Sequence, residues 1–467
     1  MIPRIKPLIL SFFIVAGLTS CGKDVPETNQ DEEKLKRLNE LVSDAQYEVL
    51  DKVTLNVEQM ADKLYGKAGA NGADNDARRA AFIKRNQMMA DSLANIKGVN
   101  GVSIMYTYWN YNFSSKDQKG DPIRLSAFMS AGSYWFFGTE FTDQDNIYLI
   151  CPYTHTQESQ CATESDGGYE FDFFVSTDNL FIMPDGQGFG YDKGHTQPYL
   201  DHNTQAKQIY DALKAGYKIY TNDGGKMESN YHLRVVGASQ GAGDAIAVHK
   251  LLDTQKNDDG LYLKDVWNFQ YSYACSGPYN PVETMKYYYE VKKLEYPVVL
   301  PLVVKSMLGC NPDLAAKYNE SDFYSDKYNA LKSKYDEIYL NKPLDAADIN
   351  KEMAKDFNTE EDKTALGSDS DDHVFIYRLF SEAMRDTNSQ MYKDFMACLE
   401  KQDLTTGWKP FTQTYLMASK GDCIVPPVNT EKLLDLFNSC SIPAHMDWTE
   451  LELSHTEACL EFMFSSW

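Results

Sequence analysis

Ser239 stands between Gly237-Ala238 and Gln240-Gly241, behind the apolar run Leu233–Val236 and ahead of a helical pattern from Asp244 to Leu252. A serine hydroxyl becomes a nucleophile only when a base takes its proton and a third group orients that base. The strand–turn–helix setting is the one a G-x-S-x-G elbow requires, with the hydroxyl lifted above the sheet. Strand and helix crowd together there, so Gly237 and Gly241 must be small. The plainer alternative is a serine that only caps the helix. Downstream, Asp422 follows Gly421 at the end of the strand-like run Phe411–Ser419, and His455 follows one further helix and strand. Both fall where a strand gives way, at the edge expected for Ser239. Ser, Asp, His is also the chain order such an elbow uses.

Other residues compete for these roles. Asp435 lies within a helical pattern, while Asp447, Glu450 and Glu452 fall in or beside the last strand. His445 precedes that strand, His373 opens a helix, and His195, His202, His232 and His249 lie upstream of the elbow or beside it. None reaches the edge as directly as Asp422 and His455. The oxyanion of an acyl transfer needs backbone donors, and the N–H of Gln240 is the first. The second is expected from Tyr153 or Thr154, in the loop after Asn146–Ile150, because Pro152 has no N–H. Pro184-Asp185-Gly186-Gln187-Gly188-Phe189-Gly190 alternates glycines but lacks the full dinucleotide spacing. It reads as a tight turn passing near the elbow, with Gly188 giving freedom and Asp185 bonding backbone N–H groups.

The elements that must position these residues are legible from periodicity. Short runs at 102–111, 123–128, 146–151, 180–183, 233–238, 267–274 and 411–418 are strand-like, and helical faces intervene. Strands alternating with helices predict a mostly parallel sheet covered on both faces. Residues 282–405, rich in Tyr, Lys, Leu and acids, predict a helical cap inserted before the strand that bears Asp422. Leu38, Leu41, Val42, Ala45 and Val49 recur at helical spacing, as do later apolar residues to Leu93, so an N-terminal helical segment is expected over 41–98. The core would then comprise 99–281 and 406–467.

Acidic residues outnumber basic ones, 68 to 45, so a nucleic-acid partner is excluded. With 31 Tyr, 23 Phe and 6 Trp, disorder is excluded over most of the length. Arg4 and Lys6 precede the apolar run Leu8–Leu18 and then Leu18-Thr19-Ser20-Cys21, the pattern of a signal peptide over 1–20. Leu-Thr-Ser-Cys is similar to a bacterial lipobox, which implies lipidation of Cys21, a polar tether over 21–40 and a place at a membrane surface of the cell envelope. Eight further cysteines in an oxidising compartment predict disulfides. Cys151 with Cys161 is the local candidate, and Cys423 with Cys459 would clamp the loops of Asp422 and His455 together. No C-x-x-C pair or other metal-ligand spacing is present, and no cofactor is expected.

Gly237-Ala238-Ser239-Gln240-Gly241, the Pro184–Gly190 run with Pro198-Tyr199-Leu200, and Gly421-Asp422 with Val425-Pro426 together resemble the α/β-hydrolase superfamily. Within it the likeness is to the secretory lipase-like and exported esterase-like branch, over roughly residues 120–467. The resemblance implies the α/β-hydrolase fold, a triad of Ser239, Asp422 and His455, and a lid at about 282–405. Where that family often shows His-Gly, this chain has Cys151-Pro152-Tyr153-Thr154. The expected activity is hydrolysis of a small-molecule carboxylic ester or lipid-like substrate through an acyl-enzyme. Two readings stay open beside it: a peptidase or amidase using the same groups, and a surface lipoprotein that binds glycan or lipid without catalysis.

Overall fold

The computed structural model describes residues 29–465 apart from 71, 100, 137–138, 165–177 and 450–451. Ten strands form one sheet: β1 (Tyr47–Asn56), β2 (Ser103–Lys116), β3 (Pro122–Phe136), β4 (Thr139–Phe141), β5 (Asp143–Ile150), β6 (Asn179–Pro184), β7 (Lys226–Ala238), β8 (Phe269–Cys275), β9 (Gln413–Ala418) and β10 (Ala444–Trp448). Their order is β1-β2-β3-β6-β5-β7-β8-β9-β10, with β4 paired to β3. From β6 to β10 every pairing is parallel, while β1, β2, β3 and β6 pair antiparallel. The chain runs back from β5 to β6 and then crosses to β7 on the other side of β5. The C-terminal end of β7 is thereby left in the middle of the sheet edge, where open α/β sheets place their sites.

Residues dictate these elements in recognisable ways. Tyr231, Leu233, Val235 and Val236 of β7 are buried, as are Leu180 to Met183 of β6, and such near-continuous apolar runs suit strands covered on both faces. On one face the helices His202–Asn222 and Gln240–Thr254 pack through Leu213, Tyr217 and Ile246 onto a core that includes Trp267. On the other face, Val57–Tyr65 and Ala73–Lys97 bring Met60 and Phe82, and His455–Ser465 brings Phe462. Between β8 and β9 the helices from Pro281 to Glu400 fold around a core of their own, in which Tyr328 stacks on Tyr335 and Phe357. This cap is tied to the sheet domain. The Tyr288 hydroxyl donates to the Ile424 carbonyl (2.6 Å), the Gln118 amide donates to Asp201 and Ser306, and the Glu158 N–H donates to the Lys342 carbonyl.

The N-terminal segment is helical over Val57–Tyr65 and Ala73–Lys97, as expected, but its first part differs from the helical reading. The first helix, Asn29–Leu41, begins inside the stretch read as a tether and ends before the spacing that suggested its continuation. From Tyr47 the chain becomes β1, in which Val53 and Leu55 alternate with Lys52, Thr54 and Asn56 after a bulge at Leu50. A period of two over a β-branched stretch outweighed the coincidental helical spacing. The signal peptide, Cys21 and the first part of the tether lie outside the described residues. Among the described residues, no helix is long and apolar enough to cross a membrane.

Beneath the sheet edge, a fully buried polar chain pins the helix after Ser239 to β8 and β9. His249 Nδ1 pairs with Ser272 Oγ (2.8 Å), and His249 Nε2 pairs with Asp253 (3.1 Å). Asp253 also accepts from the N–H groups of Phe411 and Thr412 and from the Thr412 hydroxyl (2.7 Å). Burial would raise the Asp253 carboxyl, but His249 and these donors outweigh it and hold it below its ordinary value. Its stabilisation is therefore fully present above the unfolded carboxylate value and is lost as pH falls through the lower folded one. Asp253→Ala leaves buried partners unpaired and is expected to cost about 3–5 kcal/mol at neutral pH. Chemical denaturation measures this, and the gap from the parent should narrow on acidification below about pH 4.

Candidate active site

Ser239 ends β7 with φ 56° and ψ −126°, a left-handed backbone that side chains rarely adopt. Neighbouring chain fixes it there: its N–H donates to the Cys275 carbonyl (2.9 Å), and its own carbonyl accepts from Ala242. A Cβ at Gly237 would fall 2.0 Å from the Gly241 carbonyl oxygen, and one at Gly241 would fall 2.6 Å from that of Cys151. Only glycine at both positions lets the helix leave the strand this sharply.

The Ser239 hydroxyl lies 2.8 Å from His455 Nε2, and His455 Nδ1 lies 2.7 Å from Asp422 Oδ2. Each partner is held by its own surroundings. The other carboxylate oxygen of Asp422 accepts the N–H groups of Ile424 (3.0 Å) and Val425 (2.8 Å). A Cβ at Gly421 would meet the carbonyls of Glu452 and Leu453, so the loop bearing Asp422 is pressed against the one that precedes His455. Ser454 and Glu457 bond reciprocally across the first turn of the last helix, a capping box that fixes where His455 begins it. His445 is exposed in β10, His373 and Asp372 pair with each other, and His249 belongs to the buried chain described above.

Ser239, Gln240 and Thr154 line one pocket beneath the cap, together with Tyr199, Leu200, Met285, Val299, Val303 and Ile424. The pocket wall is mostly apolar. Tyr153 faces a different cavity, which also reaches Gln240 but not Ser239. Of the two residues predicted as second donor, Thr154 is therefore the one that shares a pocket with Ser239. In the turn after β6, Asp185 accepts from Ser126 Oγ (2.6 Å), the Thr163 N–H (3.0 Å) and the Thr163 hydroxyl. Burial first of all pushes its carboxyl up to about 6. Gly188 has φ 91°, and a Cβ there would meet the His195 carbonyl at 2.8 Å.

The predicted disulfides are corrected. None of the eight described cysteines is bridged. Cys151 is buried in the core with Ala242 and Ala245 of the helix that follows Ser239, and Cys161 is buried in the loop beyond β5, not bridged to Cys151. Cys423 is exposed and donates to the Gly421 carbonyl, while Cys459 turns inward, 3.9 Å from His455 Nε2 and against Cys275. A bridge needs sulfurs about 2 Å apart, and these side chains point to different places.

That inward cysteine is a residue the sequence reading placed beside His455 but assigned to a bridge, where the structure sets its sulfur against the imidazole. That contact had a signal, since Cys459 stands one helical turn after His455. Burial opposes a charge on His455, but Cys459 and Asp422 outweigh it and hold the imidazole well above its ordinary value. Cys459 itself is drawn down to about 5, first by its hydrogen bond with Cys275. The apolar residues of the cap pocket were invisible as a set, because they come from separate loops and helices.

No family model matches the chain, and no curated protein matches it. Solved structures do. A ligand-bound form of the rice cell wall degrading esterase LipA from Xanthomonas oryzae superposes with a TM-score of 0.62 at 14% identity, covering 90% of this chain and 93% of that one. A Legionella pneumophila protein matches with a TM-score of 0.58 at 16% identity, over 90% and 95% of the two chains. Candida antarctica lipase A follows at 0.52 and 10%, over 78% and 74%. At such identities the likeness is one of architecture: the chain has the α/β-hydrolase fold, with a mostly parallel central sheet and a helical cap, and shares it with esterases and lipases.

Proposed function

We propose that this protein is a serine hydrolase that cleaves carboxylic esters, with Ser239 as nucleophile, His455 as base and Asp422 as the group that orients it. The observation that carries the reading is the continuous hydrogen-bonded chain Asp422–His455–Ser239 at the floor of an apolar, cap-covered pocket. In this reading His455 Nε2 takes the hydroxyl proton as Ser239 Oγ attacks the acyl carbon, and Asp422 supports the imidazolium that forms. The tetrahedral oxyanion rests on the Gln240 N–H and on a donor from the 153–154 loop, with Thr154 the better placed. His455 then returns the proton to the leaving alcohol, and water, activated by the same imidazole, cleaves the acyl-enzyme. Leu200, Met285, Val299 and Val303 favour an ester with an apolar acyl group. The overall charge disfavours strongly anionic substrates. A core of 99–281 and 406–467 with a cap of 282–405 is part of the same proposal. Attachment at the cell envelope through Cys21 is proposed from the sequence of residues 4–21 alone, and mass analysis of the mature N-terminus tests it.

Hydrolysis of a chromogenic short-chain ester provides the central test. Ser239→Ala is expected to lower kcat/KM by about 10⁴-fold or more with the fold intact, and Asp422→Asn by about 10⁴-fold. Undiminished hydrolysis in either variant contradicts the assignment.

The pH profile follows from the base. His455 accepts a proton only when neutral, so activity is low in acid and rises as pH passes its pKa. Because that value is held up, the midpoint of the rise is expected above 6.5. Cys459→Ala removes one of the influences that raise it and should move the midpoint to lower pH. A midpoint that stays in place shows that the thiol does not act on the base.

A further inference from the structure

The cavity that takes in Gln240 but not Ser239 is lined by both apolar and polar side chains, among them His155, Gln205 and Asp244. All four of these polar residues are more than nine-tenths buried. Among the described residues, Gln205 Oε1, Gln240 Oε1, both carboxylate oxygens of Asp244 and Nδ1 of His155 have no hydrogen-bond partner. His202 Nδ1, itself without a hydrogen bond, lies 3.5 Å from Asp244 Oδ1, and His202 Nε2 meets the Pro278 carbonyl (3.3 Å), so His202 can serve Oδ1 of Asp244 but leaves Oδ2 without a donor. Buried polar atoms are almost always satisfied, by protein or by an ordered water. Five such atoms belong to four residues that line one cavity, which is a large exception.

Four of the five are oxygens that can only accept, or a carboxylate that accepts when ionised, so they cannot satisfy one another. What they lack is a donor. Burial pushes the His155 imidazole down to about 4, so it is neutral and its Nδ1 can take either role. The cavity leaves a water's centre about 20 Å³, and one water needs roughly 10–15 Å³. A single water molecule fits in size and can meet three of the five atoms. It would donate one O–H to Asp244 and the other to an amide oxygen, and accept from His155 Nδ1–H.

We propose that this cavity is the site of a structural water that joins the first turns of the helix after Ser239 to the 152–155 loop and to the N-terminal part of the helix His202–Asn222. The water holds the Gln240 and Asp244 end of one wall against the His155 end of the other. It thus sets the separation of the two segments that supply the oxyanion donors, and Gln205 and Asp244 are positioning residues. This last step rests on the serine-hydrolase reading; the water itself does not.

A crystal structure of the full chain at a resolution that shows ordered solvent tests the site without reference to activity. The expected result is one water in the cavity within 3.2 Å of an Asp244 oxygen and of at least one among Gln205 Oε1, Gln240 Oε1 and His155 Nδ1. A dry cavity, or side chains turned so that these groups bond one another, overturns the proposal. Gln205→Leu, close in volume but without an acceptor, tests the positioning role. It is expected to lower kcat about tenfold on an ester substrate with KM unchanged and with the thermal midpoint near the parent's. A tenfold rise in KM alone, or an unchanged kcat with the water still in place, overturns that role. If the parent shows no hydrolysis, the hydrolase reading falls while the crystallographic result still decides the water.

Discussion

The close approach of Gly237 to Gly241 is the constraint on which the rest of the molecule depends. With a Cβ at either position, the helix could not leave β7 at this angle, and Ser239 could not be held at φ 56°. Such a backbone costs about 1–3 kcal/mol. It persists because the flanking structure leaves no alternative: the Cys275 carbonyl takes the serine N–H, and β7 lies in the middle of the sheet, paired with β5 and β8. The strain turns a side chain that would point along the strand into one that stands above the edge.

Everything that meets Ser239 is fixed from the same edge. The carboxylate of Asp422 has one oxygen occupied by two backbone donors, which leaves the other for His455. The loops that carry Asp422 and His455 are in contact at Gly421. The cap roofs this arrangement with apolar side chains and is tied down at several separate places around its rim. Where a disulfide was expected beside His455, a thiol faces it instead, with the Cys459 sulfur 3.9 Å from His455 Nε2.

Much of the fold was legible in the sequence because its signals are local. The apolar runs at β5, β6 and β7 and the helix after the elbow declare themselves by period and composition. The three residues of the hydrogen-bonded chain were readable because Ser239 and Asp422 follow strands beside a glycine and His455 opens the last helix, where the period changes. What could not be read depended on contacts between distant segments. Cys423 and Cys459 are close in sequence to Asp422 and His455, yet their side chains diverge, and sequence proximity carries no direction. Val49 fits both a helical and a strand period, and only pairing with Tyr111 of β2 decides between them. The choice between Tyr153 and Thr154 turns on which side of one loop faces Ser239, and alternation along an irregular loop does not tell that.

The most direct measurement of the central claim is reaction of the full chain with an alkyl fluorophosphonate, followed by intact mass and peptide mapping. One adduct per chain on Ser239, absent after heat denaturation before exposure, is the result predicted for a hydroxyl activated by His455 and Asp422. No adduct on the folded protein, or an adduct on another residue with Ser239 unmodified, would contradict it.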